Sequence, residues 1–305
     1  MVADLRLAIT GGTGFVGGRL IELALAAGHQ VRALTRRPQR PRYGITWIDG
    51  ALDKPDSLER LVDGADAVIH VAGVINARDP AGFEAGNVTG TSTVLAAAEK
   101  ARIKRFVHVS SLAAREPKLS SYGASKAGSE ALITASSLPH AIVRPPAVYG
   151  PGDREMLELF RMARRGFVLL PPGGRLSLIH ADDLGRLLLA LADPDAPKGL
   201  LVEPDDGRHR GWSHEEFGQA LGRALGRRVT TFSTPRPILN FCAQIDRLVR
   251  RDRAKLTQDR VAYFCHPDWM VDPGRGAPEN LWRPEIDTER GLAETAKWYR
   301  EQGWL

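Results

Sequence analysis

Apolar residues in the first half of the chain gather into short runs separated by stretches with helical spacing. The runs are Leu5–Ile9, Gln30–Thr35, Ala67–Val71, Phe106–Val109 and Ala141–Val143. They are short and nearly continuous in apolar character, as strands covered on both faces should be. Between them, apolar positions recur at three- and four-residue intervals. This holds for Leu20, Ile21, Leu23, Ala24 and Ala27, and across Phe83–Ala101 and Ser121–Ser136, where the spacing predicts helices. Gly28 closes the first of these in the C′ role. Strand and helix in alternation predict an α/β fold built on a doubly wound parallel sheet.

The rhythm changes after Gly150. Pro151-Gly152-Asp153 reads as a turn, and a helix is expected near Arg154–Arg165, followed by a Pro-Pro-Gly-Gly loop at 171–174. Asp182–Leu191 reads as a helix returning to the first domain. Shorter segments follow at Leu200–Val202, Ser213–Leu225 and Val229–Phe232, then a helical stretch from Ile238. The expected organisation is a nucleotide-binding domain over 1–150, rejoined by 176–200. A smaller C-terminal substrate lobe is expected from 151–175 and 201–305, with a cleft between the two. In the last helical stretch, Ile238, Phe241, Cys242, Ile245, Leu248 and Val249 share one face, and Arg247, Arg250, Arg251 and Arg253 lie on another. Packing on the lobe, or closure over the cleft as a lid, is the favoured reading, with a membrane-surface helix as the alternative.

The chain has 305 residues, a formal net charge of +6 and two cysteines, Cys242 and Cys265. Two cysteines give neither a disulfide framework nor a zinc pattern, so a reducing cytoplasm is expected and no metal site. No secretory signal and no membrane-spanning apolar run is read, so the protein is expected to be soluble. The positive charge suits an anionic cofactor or substrate. The arginines are scattered rather than striped with aromatics, which argues against nucleic acid.

The first strand ends in Thr10-Gly11-Gly12-Thr13-Gly14-Phe15-Val16-Gly17, and a helical pattern follows at once. A strand, a glycine turn and a helix start form a site for a dinucleotide pyrophosphate, the Rossmann arrangement. Gly11 permits the turn, Gly14 lets backbone approach the phosphates, and Gly17 lets the helix lie close to the strand. The second strand ends Thr35-Arg36-Arg37 with no carboxylate. An acid there would favour NAD, whereas an arginine fork suits the 2′-phosphate of NADP. NADP is therefore the expected cofactor, with NAD as the alternative.

A second constellation is Ser110-Ser111, followed by Tyr122-Gly123-Ala124-Ser125-Lys126. Tyr122 and Lys126 are four apart and share a helix face. An ammonium beside a phenol favours phenolate, and a tyrosine so tuned can exchange a proton with an alcohol or carbonyl. A serine hydroxyl can hold the same oxygen.

These motifs together resemble the extended or atypical branch of the short-chain dehydrogenase/reductase superfamily, often labelled NAD-dependent epimerase/dehydratase. His70-Val71-Ala72-Gly73, Asn87-Val88-Thr89-Gly90-Thr91, Arg144 through Gly152 and His180-Ala181-Asp182-Asp183 are similar to further segments of that branch. The match thins after residue 185. The resemblance implies Tyr122 as general acid/base. It implies Lys126 as the group that lowers its pKa and binds the nicotinamide ribose, and Ser111, with Ser110 as rival, as the group that polarises the substrate oxygen. Asn87 either stabilises the site or packs a helix. The implied cofactor contacts are Gly11, Thr13, Gly14, Phe15, Val16, Gly17, Arg36, Arg37, Leu52, Ala72, Gly73, Tyr122, Lys126, Pro145 and Val148. Ala51 stands where the family often carries an acid near adenine, and Asp49 or Asp53 could substitute.

The expected activity is NADP-dependent interconversion of a secondary alcohol and a ketone, on a small-molecule substrate, in a possible homodimer. Two other readings stay open. One is a sugar-nucleotide epimerase or dehydratase, and the other a non-catalytic NADPH-binding subunit of a larger complex.

Overall fold

The computed structural model describes residues 4–250 and 256–305, so Arg251–Lys255, with Arg251 and Arg253 of the expected basic face, lies outside the described residues. The strands run in order β1 (Arg6–Thr10), β2 (Gln30–Thr35), β3 (Ile45–Asp49), β4 (Ala67–His70), β5 (Arg105–Val109), β6 (His140–Val143), β7 (Ala147–Tyr149), β8 (Phe167–Leu170), β9 (Arg175–Leu176), β10 (Leu178–His180), β11 (Leu200–Val202), β12 (Trp212–Ser213), β13 (Thr230–Ser233) and β14 (Asp268–Trp269). The α-helices are α1 (Phe15–Ala26), α2 (Pro55–Val62), α3 (Pro80–Phe83), α4 (Gly90–Lys100), α5 (Ser121–Ala135), α6 (Leu157–Arg164), α7 (Ala181–Ala192), α8 (His214–Ala224), α9 (Arg236–Arg250), α10 (Gln258–Phe264) and α11 (Thr288–Glu301).

The chain divides into two compact units. The first comprises 1–145, 184–203 and 275–283, and holds a seven-stranded parallel sheet in the order β11-β6-β5-β4-β1-β2-β3. The strand order reverses beside β1, which puts the ends of β1 and β4 at a switch point where doubly wound sheets bind ligands. Leu7, Ala8, Ile9, Val68, Ile69, Phe106 and Val107 are fully buried along its centre. β3 was absent from the sequence reading. It is an edge strand in which only Ile48 is buried, so its apolar run is interrupted.

The unit boundaries differ from the expected ones. Leu200–Val202 pairs in parallel with Ala141–Val143, so 201–203 join the first unit instead of the lobe. Residues 146–150 and 176–183 leave it, because β7 and β10 pair with one another. Residues 275–283 return to it, with Glu203 N–H donating to the Arg275 carbonyl.

The second unit is built from 146–183, 204–274 and 284–305. Its core gathers Tyr149, Met156, Phe160, Trp212, Phe217 and Tyr299, all buried. Trp269 is also buried, its ring 4.5 Å from that of Tyr263. These aromatics fill a core. Asp183 accepts hydrogen bonds from Glu285 and Ile286 N–H at 3.0 and 3.1 Å, which fastens the approach to α11.

Two further expectations change. The single helix read over Phe83–Ala101 is broken by a π-helical turn at Glu84–Thr89. On α9 the apolar face does not pack: Ile238, Phe241, Leu248 and Val249 are exposed, and the buried position is Ala243. Helical spacing is the same for a stripe that packs and one that faces water, so the sequence could not separate them.

Candidate active site

β1 delivers the chain to Gly11, whose φ of +74° is left-handed. A Cβ at Gly11 would stand 2.7 Å from the Ala72 nitrogen, so both conformation and space require glycine. A Cβ at Gly17 would lie 2.1 Å from the Gly11 carbonyl oxygen, which is why α1 can sit against the turn. Gly14 is the N-cap and makes no side-chain cap, and the first turn of α1 holds no acid. The first-turn N–H groups, Phe15 and Val16 among them, are thus left for an external anion, aided by the helix dipole. Thr13 and Gly14 are exposed, and Phe15 and Val16 half-exposed. This cradle fits a dinucleotide pyrophosphate.

Ala72 and Gly73 follow β4 directly beside the turn. The Ala72 N–H donates to Thr10 Oγ1 at 3.2 Å, and Thr10 Oγ1 lies 2.7 Å from His70 Nδ1. Burial pushes the His70 imidazole down to about 3, with the Lys126 charge adding to the effect, so His70 is neutral. Arg36 and Arg37 leave the end of β2 into solvent. Thr35 Oγ1 shapes that turn, donating to the Arg37 carbonyl at 2.6 Å and accepting from the Arg37 N–H at 3.2 Å. Leu52 is half-buried, and its carbonyl accepts from Thr93 Oγ1. Asp49 and Asp53 are exposed. Pro145 is buried, with its carbonyl accepting from Leu112 N–H. Val148 belongs to the second unit, on β7, paired with Ile179.

Ser110 and Ser111 follow β5, and the structure gives them different work. Ser110 Oγ donates to Glu130 Oε1 inside a buried network. Arg144 grips the same carboxylate through Nε at 2.8 Å and Nη2 at 2.6 Å, and reaches Glu203 Oε1 at 3.2 Å. Ser111 Oγ accepts from Ala113 N–H at 3.2 Å, capping a 3₁₀ turn at Leu112–Arg115. Accepting leaves its own O–H to donate elsewhere.

α5 begins at Ser121, with Ser120 accepting from Gly123 N–H as N-cap. Tyr122 is half-buried, its ring centroid 6.1 Å from that of Phe83. Lys126, one turn along the same face, is buried and donates to the Val109 carbonyl at 2.8 Å. Burial lowers its ammonium to about 8, against the opposing pull of the Glu130 carboxylate.

Asn87 is the residue that the π-helical turn places. It is buried, takes Val74 N–H on Oδ1 at 2.6 Å, and donates from Nδ2 to the Val74 carbonyl and Ser125 Oγ. It thereby ties the loop after β4 to α5. A Cβ at Gly73 would come within 3.1 Å of Asn87 Oδ1 and 3.4 Å of Lys126 Nζ, so these groups converge where that loop passes. Ser125 and Arg144 stand within quoted motifs but carry no role of their own in the sequence, and Glu130 and Glu203 stand in none. Glu130, four residues after Lys126, was within reach of helical spacing. Glu203 was not, because only the β11–β6 pairing brings it in.

Lys126 gives a pH prediction. Its folded value, about 8, lies below the ordinary 10.5, so between those limits the unfolded chain holds a proton that the folded chain has released. Stability contributed by this group therefore rises with pH across that window, by about 1.4 kcal/mol per unit. Below it the burial penalty is fully present. Urea unfolding of wild type and Lys126→Met should show the difference between them shift in favour of wild type from near pH 8 toward pH 10. A constant difference would contradict the assignment.

The model of the NAD dependent epimerase/dehydratase family matches residues 7–200. The ceramide reductase of Caulobacter vibrioides is 37% identical over 321 residues, covering 100% of this chain and 98% of that protein. A 2-alkyl-3-oxoalkanoate reductase of Stenotrophomonas maltophilia is 28% identical, covering 94% and 97%. Among solved structures, the Bordetella bronchiseptica enzyme WbmG in complex with NAD and UDP superposes with a TM-score of 0.76 at 21% identity, covering 99% of this chain and 96% of that one.

Proposed function

The chain belongs to the NAD-dependent epimerase/dehydratase family, the extended branch of the short-chain dehydrogenase/reductases, and from that premise we propose that it is an NADP(H)-dependent ketone reductase. The observation that carries the proposal is the buried Lys126 ammonium, held on the Val109 carbonyl one helical turn from Tyr122. Bound dinucleotide supplies the hydride, or accepts it in the alcohol direction. Tyr122 gives its phenolic proton to the carbonyl oxygen as that oxygen gains charge, and takes it back in the reverse sense. Lys126 favours the phenolate by its charge and offers N–H groups to a ribose. Ser111 donates to the substrate oxygen, a role that Ser110 is poorly free to take while Glu130 holds it.

Gly11, Thr13, Gly14, Phe15, Val16 and Gly17 would hold the pyrophosphate, and Leu52, Ala72, Gly73 and Pro145 would line the rest of the dinucleotide site. Val148 is proposed beside the nicotinamide on family resemblance alone. Reduction is the favoured direction because the two relatives quoted above are named as reductases, of ceramide and of a 2-alkyl-3-oxoalkanoate. Both names describe lipophilic substrates, and the same class is proposed here.

Arg36 and Arg37, exposed at the end of β2 with no carboxylate beside them in sequence, favour the 2′-phosphate. Arg36→Ala should weaken NADPH binding by about 10-fold or more, the scale of one charge-assisted hydrogen bond to phosphate, and leave NADH nearly unchanged. Fluorescence titration with both cofactors checks this. Equal loss for the two would remove Arg36 from the cofactor site.

A further inference from the structure

Ten large apolar side chains stand exposed among the described residues, and five of them, Ile238, Phe241, Ile245, Leu248 and Val249, lie on α9. Leu248 and Val249 are 78% and 75% exposed. At helical spacing the five fall within an arc of about 100°. The helix is anchored by another face, where Ala243 is buried and Asp246 accepts from the Leu256 N–H at 2.8 Å. The exposed arc is thus not the seam by which α9 packs. Apolar exposure extends into β13, the strand that leads into α9. Phe232 there is the register partner of Leu169 on β8, and both are exposed.

Charge selects the occupant. Away from the arc, α9 carries Arg236, Arg247 and Arg250, all exposed, against one acid, Asp246, which pairs with Arg250 at 3.2 Å. Three positive charges less one negative leave the helix at +2, on a chain of net +6. A second copy laid on this face would bring together two chains that each carry a net charge of +6, which disfavours a self-pair. A layer of anionic headgroups over an apolar interior complements both features: the arc enters the acyl boundary, and the net positive charge of helix and chain is drawn to the anionic surface.

We infer that the exposed apolar face of α9 docks the protein on the surface of an anionic lipid bilayer. The helix lies in the interface plane and does not span; no helix among the described residues is long and apolar enough to cross a membrane. The inference goes beyond the proposed reductase activity and does not depend on it, because docking is read without substrate or cofactor.

The full-length protein is sedimented with vesicles of phosphatidylcholine mixed with phosphatidylglycerol, and with vesicles of phosphatidylcholine alone. Binding is expected to the anionic vesicles, weaker to the neutral ones, and reduced by high salt. Phe241→Asp with Leu248→Asp should lower partitioning by at least about 50-fold, since each loses a buried large side chain. Arg236→Gln with Arg247→Gln should lower it about fivefold per charge. All four residues are exposed, so thermal unfolding should stay close to wild type, and turnover of a water-soluble ketone should persist. A wild type that stays in the supernatant with both vesicle types would overturn the inference, as would undiminished binding of the Phe241/Leu248 variant. So would a wild-type dimer that this variant converts to monomer while vesicle binding is unchanged.

Discussion

Tyr122→Phe is expected to lower kcat for ketone reduction by about 10²–10⁴-fold, the range for removing a positioned proton donor. NADPH binding and thermal stability should stay close to wild type. The change removes one oxygen from a half-buried ring and leaves its apolar neighbour, the Phe83 ring, in place. The N-cap of α5 rests on Ser120 and the anchoring of Lys126 on the Val109 carbonyl, so neither depends on the phenol. Turnover with ketone and NADPH, set beside a cofactor titration, separates the proton-transfer role from a structural one. Unchanged kcat would mean that another group supplies the proton, and Ser111 would be the next to test. Loss of cofactor binding together with kcat would mean that Tyr122 chiefly builds the site.

Gly17→Ala should be damaging where Gly18→Ala is tolerated. The added methyl at 17 would lie 2.1 Å from the Gly11 carbonyl oxygen and 2.7 Å from the Gly11 carbonyl carbon. Both are backbone atoms of the turn, with no flexible side chain to yield. Relief requires α1 to move off β1, which opens the cradle formed by its first turn. The expected loss is at the upper end of overpacking, about 3 kcal/mol of folding stability, with dinucleotide binding lost as well. At Gly18 the nearest atom to an added Cβ is 3.8 Å away. Alanine there should be neutral or gain up to about 1 kcal/mol from helix propensity. Chemical denaturation of the two variants side by side checks the contrast. Similar behaviour would mean that the close approach at Gly17 is not what holds the turn.

The glycine turn was legible in the sequence because its determinants are local. Gly11, Gly14 and Gly17 fall within one strand–turn–helix, and the geometry carries the tasks that spacing assigns to Gly11 and Gly17, while the approach of phosphates to Gly14 belongs to the proposed function. That Tyr122 and Lys126 share one helix was legible for the same reason. What spacing could not reach was the choice between Ser110 and Ser111. Ser110 is engaged by Glu130, twenty residues on, and Glu130 in turn by Arg144, which also holds Glu203 from β11. With 201–203 expected in the lobe, Glu203 had no reason to appear near the site. Asn87 could be read as packing or as support until the π-helical turn placed its amide on Val74 and Ser125. The unit boundaries moved because β7 and β10 pair with each other, a tertiary choice between short apolar runs that local patterning does not rank. On α9 the periodicity was read correctly as helix, but which way its apolar face points is decided by the rest of the fold.

The proposed reaction is net reduction of a ketone by a reduced dinucleotide, with Tyr122 supplying the proton. The most direct measurement uses NADPH deuterated at both C4 positions, a lipophilic ketone, and mass spectrometry of the alcohol formed by wild type and Tyr122→Phe. One deuterium is expected at the carbinol carbon for each NADPH oxidised by wild type, with a rate reduced about 10²–10⁴-fold in the variant. No deuterium in any product across a panel of lipophilic ketones, with NADPH bound but not consumed, would contradict it.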